Sequence, residues 1–259
     1  MTWTTRLRSE VGELAAIVVG DGPLLVLLHG VGLRAEAWAP VIDAMSDRFK
    51  VVAPDMPGHG ESRYDESFAS LDAYVEVVAG LLDRPAIVAG HSMGAMIALA
   101  LAERMPAQVC AVLALNAVFE RDQAAQDAVR KRAAALDGVS VADPGVTLKR
   151  WFGETPSPAE RACRDWLTSV DPMGYRAAYS IFAHENGPNR TALANMSQPA
   201  LFMTGADDPN STPEMSQRMA SLAAAGRAEV IEGAAHMLPM THVESVVTAL
   251  DRLAQDERM

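Results

Sequence analysis

The sequence predicts an α/β protein whose mostly parallel central sheet has about eight strands and is flanked by helices. Strand-like and helix-like segments alternate over residues 24–115, and this alternation resumes over 200–253. Two apolar runs each lead through a glycine-containing turn into a helix-like segment. With 259 residues, 49% of them hydrophobic, the chain is long enough to bury the core of one such domain.

The predicted elements follow the order that a doubly wound sheet requires. Two strands joined at Gly12 come first, and apolar or alternating runs mark the later strands. The strands are predicted at 3–9, 13–19, 24–28, 50–54, 85–89, 109–115, 200–204 and 228–231. Helices are predicted around 35–45, at 71–82 and 93–105, from 212 onward, and at 243–253.

Residues 118–195 interrupt this alternation, because they contain no run that resembles a buried strand. One helix start is well marked: Ser157 is a predicted N-cap, Pro158 occupies the first helical position, and Glu160 completes a capping box. We therefore predict a helical insertion over 118–195, after the sixth strand. It separates two parts of one α/β core, 1–117 and 196–259.

The sequence GHSMG at 90–94 is the first functional signal. It lies between a predicted strand and a predicted helix, where a G-x-S-x-G serine is held on a sharp turn with its hydroxyl exposed. The two glycines leave little side-chain bulk near that turn. Ser92 is therefore the predicted nucleophile.

A second turn of the same kind, HGVG at 29–32, follows the predicted strand at 24–28. Together with GHSMG and the intervening DMPGHGES at 55–62, it makes the chain resemble the α/β-hydrolase superfamily over essentially its whole length. The resemblance implies an oxyanion hole formed by the backbone N–H groups of Val31 and Met93. It also implies that the helical insertion is a lid over the carboxyl ends of the strands, where open α/β sheets place their sites.

The resemblance further implies an acid and a histidine that follow the serine in the chain. Asp208 lies in the sequence GADDP at 205–209, which is similar to the G-x-x-D turn of the family, and Asp207 is the substitute candidate. His236 ends the small-residue loop EGAAH. In some members the acid lies one strand earlier, but Asn116 occupies that place here and cannot serve as a carboxylate. The expected triad is Ser92, Asp208 and His236.

These residues favour a cofactor-independent serine hydrolase that forms an acyl-enzyme with an ester, lactone or enol-lactone. The segments RWF at 150–152 and GY at 174–175 resemble enol-lactone hydrolases and small carboxylesterases. Such a resemblance implies a small substrate that carries a carboxylate. Candidates for its bidentate binding are Arg34, Arg150 and Arg176, and Trp151, Tyr175 and Met237 are expected to line the pocket.

Three other functions are compatible with parts of the sequence. The stretch GVGLRA at 30–35, followed by Asp55, matches a dinucleotide-binding fingerprint, but that site does not require a nucleophile turn on the next strand. Hydrolysis of a carbon–carbon bond in a vinylogous diketone uses similar triads, although the HGVG loop lacks the Pro-Gly extension that often marks such enzymes. A ligand-binding protein without catalysis would keep the pocket and show no turnover.

The composition and net charge of the chain argue against several classes of binding partner and cofactor. The net charge of −11 argues against nucleic acid and against an anionic membrane. The expected partner, a small-molecule ester or lactone, follows from the predicted hydrolase activity. Neither of the two cysteines lies in a C-x-x-C pair, and no metal or cofactor is expected. The N-terminal residues lack a secretion-signal pattern, which predicts a cytoplasmic protein. Monomer and homodimer are both left open.

Overall fold

The structure, a computed structural model, describes residues 3–154 and 156–256. Its centre is a sheet of eight strands in the order β1-β2-β4-β3-β5-β6-β7-β8. The pairs β1–β2 and β2–β4 are antiparallel, and every other neighbouring pair is parallel. The strands are β1 (Ser9–Val11), β2 (Leu14–Val19), β3 (Leu24–Leu28), β4 (Lys50–Pro54), β5 (Ala86–His91), β6 (Val109–Leu115), β7 (Ala200–Gly205) and β8 (Gly226–Ile231). This arrangement is the predicted mostly parallel sheet.

The helices lie between and beyond these strands. A short 3₁₀ turn at Ala35–Trp38 precedes the first of them. They are α1 (Ala39–Met45), α2 (Leu71–Ala79), α3 (Met93–Arg104), α4 (Gln123–Ala134), α5 (Gly145–Phe152), α6 (Pro158–Ser169), α7 (Pro172–His184), α8 (Arg190–Asn195), α9 (Pro213–Leu222), α10 (Leu238–Thr241) and α11 (Val243–Asp256). Within the described part of the chain, no helix combines the length and the apolar character needed to cross a bilayer.

The first predicted strand differs from the observed one. Strand β1 begins only at Ser9, and residues 3–8 lie outside the sheet. The backbone N–H of Arg6 donates to Glu36 Oε1 at 2.8 Å, and the Arg8 guanidinium donates to Glu36 and Asp55. The Arg6 N–H is thus satisfied by a side chain and not by a neighbouring strand, and the two carboxylates hold the segment along the loops.

Both faces of the sheet are covered. One face packs against α2, α3 and α9 through residues such as Val75, Ile97 and Met219, and the other against α1 and α11 through residues such as Ile42 and Leu250. All five residues of β3 are buried, as expected for a strand inside a parallel sheet. The loops that leave the carboxyl ends of the strands are therefore anchored on a rigid base.

Helices α4 to α8 follow β6 and occupy the region predicted to be helical. Ser157 caps α6 by accepting the N–H of Glu160 at 3.0 Å, as the sequence indicates. Helices α5 and α6 pack on a cluster that includes Leu33 and Met237, while α4 and α7 pack beside Val31. Since Val31 and Leu33 follow β3 and Met237 follows β8, these helices lie over the carboxyl ends of the strands.

Candidate active site

Ser92 lies on a sharp turn between β5 and α3. Its backbone has φ 56° and ψ −116°, a left-handed conformation that a serine adopts only when its surroundings enforce it. The Ser92 N–H donates to the carbonyl of Leu115 at 2.9 Å, which ties the turn to the end of β6. Strain of this kind is typical of functional positions, and here it holds a hydroxyl group at the edge of the sheet.

The glycines around this turn are required by close backbone approaches. A Cβ atom on Gly90 would lie 2.1 Å from the carbonyl oxygen of Gly94, and one on Gly94 would lie 2.2 Å from the carbonyl oxygen of Leu28. A Cβ on Gly30 would come within 3.1 Å of the Ser92 Cβ. The two glycine-containing loops that the sequence analysis paired are therefore packed directly against each other.

The acid and the histidine meet at the ends of the last two strands. Asp208 lies on the loop after β7, and His236 lies on the loop after β8. His236 Nδ1 donates to Asp208 Oδ2 at 2.7 Å, and both side chains are at least 95% buried. Gly205 allows this pairing, because a Cβ there would lie 2.1 Å from the carbonyl oxygen of Ala234.

Asp208 is held as an ionised acceptor. Its Oδ1 accepts the backbone N–H groups of Asn210 at 2.9 Å and Ser211 at 3.2 Å, and its Oδ2 also accepts Asn116 Nδ2 at 2.8 Å. Burial alone would raise the pKa of Asp208, but the charge of His236 and these hydrogen bonds outweigh burial and lower that pKa below its ordinary value. The carboxylate is thus charged at neutral pH and directed at His236.

Two aromatic side chains flank His236. The His91 ring lies 4.9 Å from it, centroid to centroid, and His91 Nε2 donates to the backbone carbonyl of His236 at 2.8 Å. Burial lowers the pKa of His91 to about 3, so His91 is neutral and supports the loop without competing for protons. Trp151 also stacks on His236, with ring centroids 5.6 Å apart and planes 25° apart.

The loop that follows β3 is held by two further buried histidines. His59 Nε2 accepts the N–H of Gly32 at 3.0 Å, and His29 Nε2 accepts the N–H of Met56 at 2.8 Å. Among the described residues, the N–H of Val31 and the N–H of Met93 have no protein acceptor. Two backbone donors next to Ser92 are therefore left for an oxygen of a bound molecule, as an oxyanion hole requires.

Ser92 and His236 line a cavity of about 470 Å³ beneath the helices of residues 118–195. Its wall contains Gly30 and Val31 from the loop after β3, aromatic residues from α5 and α7, and arginines from the region of α4 and α5. These aromatic and cationic residues are Arg121, Arg132, Arg150, Trp151, Tyr175, Tyr179 and Phe182. The cavity can hold a small molecule with one face against Ser92.

Of the expected substrate-binding residues, Trp151, Tyr175 and Arg150 line this cavity. Arg34 does not: its Nε donates to Glu36 at 2.8 Å, and the residue borders a separate surface pocket. Met237 is completely buried under α5 and α6 and is a packing residue. The predictions that Arg34 and Met237 line the pocket are therefore wrong. Arg34 is paired with Glu36, and Met237 is packed in the core.

Arg176 is also placed elsewhere, since it is exposed and donates to the carbonyl of Asp137. Two arginines that were not predicted from the sequence, Arg121 and Arg132, line the cavity. Their only sequence signal is position: Arg121 lies just before α4, on the side of the sheet where the other site residues converge. Nothing in the local pattern separates them from surface arginines.

The position of Asp55 argues against a dinucleotide-binding site. Its carboxylate is completely buried and accepts the Arg8 guanidinium and the N–H groups of Ala35 and Glu61. It has no oxygen directed at a ligand, and its role is to join the loops after β3 and β4. Among residues 3–154 and 156–256, no group of three or more His, Cys, Asp or Glu side chains is arranged to hold a metal ion.

Comparisons with known proteins show the family to which the chain belongs. Residues 25–249 match the model of the alpha/beta hydrolase family. The chain is 40% identical over 237 residues to an (E)-2-((N-methylformamido)methylene)succinate hydrolase of Acinetobacter baylyi, covering 89% of this chain and 90% of the relative. It is 30% identical over 242 residues to a pimeloyl-[acyl-carrier protein] methyl ester esterase of Stenotrophomonas maltophilia, covering 90% and 93%.

Among solved structures, the enol-lactonase of Burkholderia xenovorans superposes with a TM-score of 0.81, covering 96% of this chain and 99% of that chain. Its sequence identity of 23% makes this a likeness of fold. The family match and the curated relatives confirm the resemblance drawn from the motifs at 29–32 and 90–94. The chain belongs to the alpha/beta hydrolase family, and it is a hydrolase.

Proposed function

We propose that the chain is a serine hydrolase in which Ser92, His236 and Asp208 form a catalytic triad. The observation that carries this proposal is the 2.7 Å hydrogen bond from His236 Nδ1 to Asp208, with Ser92 strained on the wall of the same cavity. That bond leaves His236 Nε2 as the proton acceptor of the pair. The helices of residues 118–195 act as the lid of this site.

In the proposed mechanism, His236 takes the proton of the Ser92 hydroxyl as its oxygen attacks the acyl carbon. The N–H groups of Val31 and Met93 stabilise the oxyanion of the tetrahedral intermediate. His236 then donates its proton to the leaving group, which gives an acyl-enzyme on Ser92. Water, deprotonated by His236, attacks this ester and releases the acid, while Asp208 stabilises the imidazolium throughout.

The arginines of the cavity support a substrate that carries a carboxylate. Arg121, Arg132 and Arg150 line the cavity, and among the described residues none of them contacts a carboxylate. Asp122 is the acidic residue on the rest of the wall, and it is occupied as the N-cap of α4. In a chain with a net charge of −11, three cations without counter-ions around one cavity favour an anionic ligand.

Arg121 is the most constrained of the three. Its side chain is buried, lies 4.5 Å above the Phe182 ring, and donates to the carbonyl of Glu185 at 2.7 Å. Burial lowers the pKa of Arg121 to about 10, which still leaves it charged at neutral pH. A carboxylate bound beside it offsets the cost of burying that charge.

The bond cleaved is proposed to be that of an ester, lactone or enol-lactone. A second candidate is an unsaturated succinate that carries an N-acyl group, because the relative at 40% identity is named as a hydrolase of such a compound. Both substrates present an acyl carbon to Ser92 and a carboxylate to the arginines. Cleavage of a carbon–carbon bond in a vinylogous diketone is the remaining alternative, and analysis of the products separates it from acyl transfer.

The triad is tested with a fluorophosphonate probe and p-nitrophenyl acetate. We expect the protein to be labelled once, at Ser92, and Ser92→Ala to lose labelling and roughly 10⁴- to 10⁶-fold in kcat. Ser169→Ala, which changes an exposed serine of α6, is the matched control and retains both. An unlabelled protein, or a Ser92→Ala variant that keeps its turnover, would contradict the proposal.

The carboxylate preference is tested with two esters of similar size, p-nitrophenyl butyrate and the p-nitrophenyl monoester of succinate. Loss of a charge-assisted hydrogen bond costs about 1.5–3 kcal/mol, so Arg150→Gln is expected to raise KM for the succinyl ester about tenfold or more. KM for the butyrate should hardly change. Arg176→Gln serves as the control, and equal effects on both esters would eliminate the arginine subsite.

A further inference from the structure

Asn116 is the residue that directly follows β6, next to the proposed triad. Its side chain is completely buried, and its backbone is left-handed with φ 51°. Asparagine and glycine tolerate this conformation better than other residues do. The position thus combines a restricted backbone with a polar side chain that is enclosed by protein.

The amide of Asn116 contacts the same oxygen that binds the histidine. Asn116 Nδ2 lies 2.8 Å from Asp208 Oδ2, and His236 Nδ1 lies 2.7 Å from that oxygen. The other carboxylate oxygen, Oδ1, accepts only backbone donors, from Asn210 and Ser211. Asn116 is therefore the one side chain besides His236 that donates to Asp208 among the residues described here.

The orientation of this amide is determined by its surroundings. Three acceptors surround Nδ2: the carboxylate of Asp208, Thr204 Oγ1 at 3.3 Å and the carbonyl of Ala235 at 3.4 Å. The opposite orientation would place Oδ1 against all three and repel the carboxylate. In the observed orientation Oδ1 is buried without a partner, so the site tolerates an unsatisfied acceptor in order to direct the NH₂ group at Asp208.

The backbone of Asn116 is tied to the same loop. Its N–H donates to the carbonyl of Met203 at 2.8 Å, and its carbonyl accepts Ser211 Oγ at 2.7 Å. The carbonyl of Ser211 accepts Thr204 Oγ1 at 2.6 Å. The end of β6 and the loop that carries Asp208 are thus joined through both the main chain and the side chain of one residue.

We propose that Asn116 is a positioning residue for the hydrolytic reaction: its NH₂ group holds Asp208 ionised and in the rotamer that faces His236. This inference rests on the triad of the proposed function. Asn116 acts through Asp208 and touches no substrate. Asn116 lies at the position after β6 where the resemblance places the acid of some family members. In this chain it donates a hydrogen bond to the acid that follows β7, Asp208.

Two substitutions separate this role from simple packing. Asn116→Gly keeps the left-handed backbone and removes the amide, which leaves a small cavity. Asn116→Asp keeps the size of the side chain and replaces the donor with an oxygen 2.8 Å from Asp208. Two carboxylates at that distance cannot both ionise freely, so the pair carries between one and two negative charges. Any charge beyond the single one of the unmodified protein favours the protonated imidazole of His236.

The measurement is the rate of Ser92 labelling by a fluorophosphonate probe between pH 5 and 9, together with kcat and KM for p-nitrophenyl acetate. We expect both variants to lower kcat with KM nearly unchanged, Asn116→Gly about tenfold and Asn116→Asp about a hundredfold. In Asn116→Asp the acid limb of the labelling profile should also move to higher pH. The nearby titratable groups, His91 and His236, are unchanged in both variants, and Asp207 is exposed to solvent.

A packing role predicts the reverse order, because aspartate fills the site and glycine empties it. Thermal stability reports that effect separately. Gln198→Ala, which removes a buried hydrogen bond to the Ala102 carbonyl before the start of β7, at the opposite end of that strand from Asp208, is the control for stability loss alone. If Asn116→Asp labels as fast as Asn116→Gly or faster, with the pH profile of the unmodified protein, the inference is wrong. Failure of the triad itself appears differently, as an unmodified protein that is not labelled at Ser92.

Discussion

The α/β scaffold and the helices of residues 118–195 are built in different ways. In α3, which lies on the sheet, nine of twelve residues are buried, whereas in α4, which lies over the site, one of twelve is buried. Buried residues are constrained by close packing on every side, and exposed helices are anchored by a few contacts. The burial of α6 and α7 is intermediate, with five buried residues in each, so α4 is the helix of this region that is least held by the core.

The proposed chemistry follows the same division. Ser92, Asp208 and His236 lie at strand ends, on loops that the scaffold holds through glycines and buried histidines. Other residues that line the cavity, such as Trp151 and Tyr175, come from the helices of residues 118–195. Many folds position catalytic residues on loops held by a rigid scaffold and take the substrate-binding residues from separate, more variable segments.

The largest effect is expected from a substitution that disrupts the packing of the α/β scaffold. Gly90→Ala places a Cβ 2.1 Å from the carbonyl oxygen of Gly94, and backbone on both sides prevents relaxation. We expect a loss of about 3 kcal/mol or more in the free energy of unfolding, or no folded protein. Gly153→Ala is the control in the helical region, because that site has φ 76° and no neighbour within 4 Å. It should cost about 1–3 kcal/mol in urea unfolding, because φ 76° with ψ −155° suits glycine alone. Losses as large as those of Gly90→Ala would contradict the comparison.

Acid should weaken the scaffold through its buried histidines. Burial lowers the pKa of His29 and of His91 to about 3, below the ordinary value of 6.5. The unfolded chain therefore binds more protons than the folded one below about pH 6.5, and stability is lost progressively as the pH falls from there towards about 3.

Thermal melts at a series of pH values test this prediction. His29→Gln should lower the melting temperature at neutral pH, because it removes the acceptor for the Met56 N–H, and should make the decline towards acid shallower. His184→Gln, which changes an exposed histidine of the helical region, should leave the slope unchanged. Identical slopes for all three proteins would show that the buried histidines do not govern acid stability.

A smaller effect is expected where the two regions meet. Trp151 of α5 stacks on His236 of the scaffold, and an aromatic pair of this kind is worth about 0.5–1.5 kcal/mol. Trp151→Ala should therefore lower kcat/KM for p-nitrophenyl acetate about tenfold, while Trp151→Phe keeps most of it. Phe152→Ala changes the neighbouring residue, which packs in the same cluster but does not line the cavity. Equal losses in Trp151→Ala and Phe152→Ala would assign the effect to helix packing.

The smallest effect is expected at the exposed surface of the helical region. Val139, between α4 and α5, is 82% exposed, so Val139→Ser should change the free energy of unfolding by no more than about 0.5 kcal/mol. The midpoint of urea unfolding measures this directly. A larger shift that depends on protein concentration would show that another copy of the chain covers this valine.

The fold class, the order of strands and helices, and the turn that carries Ser92 could be predicted from the sequence. These features depend on local signals: apolar runs that suit buried strands, glycines at places where no Cβ fits, and caps such as Ser157. The family motifs added Asp208 and His236, which the structure brings within 2.7 Å of each other.

The folded structure was needed to show which arginines surround the cavity and what Asn116 contacts. Arg34 was expected at the site and is held by Glu36, whereas Arg121, with no distinguishing pattern, lies in the wall. The sequence indicates only that Asn116 cannot serve as the acid. In the structure its amide nitrogen lies 2.8 Å from the carboxylate of Asp208, which is 92 residues further along the chain. Such contacts join segments far apart in sequence, and the local preferences that shape a strand or a turn carry no information about which distant side chain completes a site.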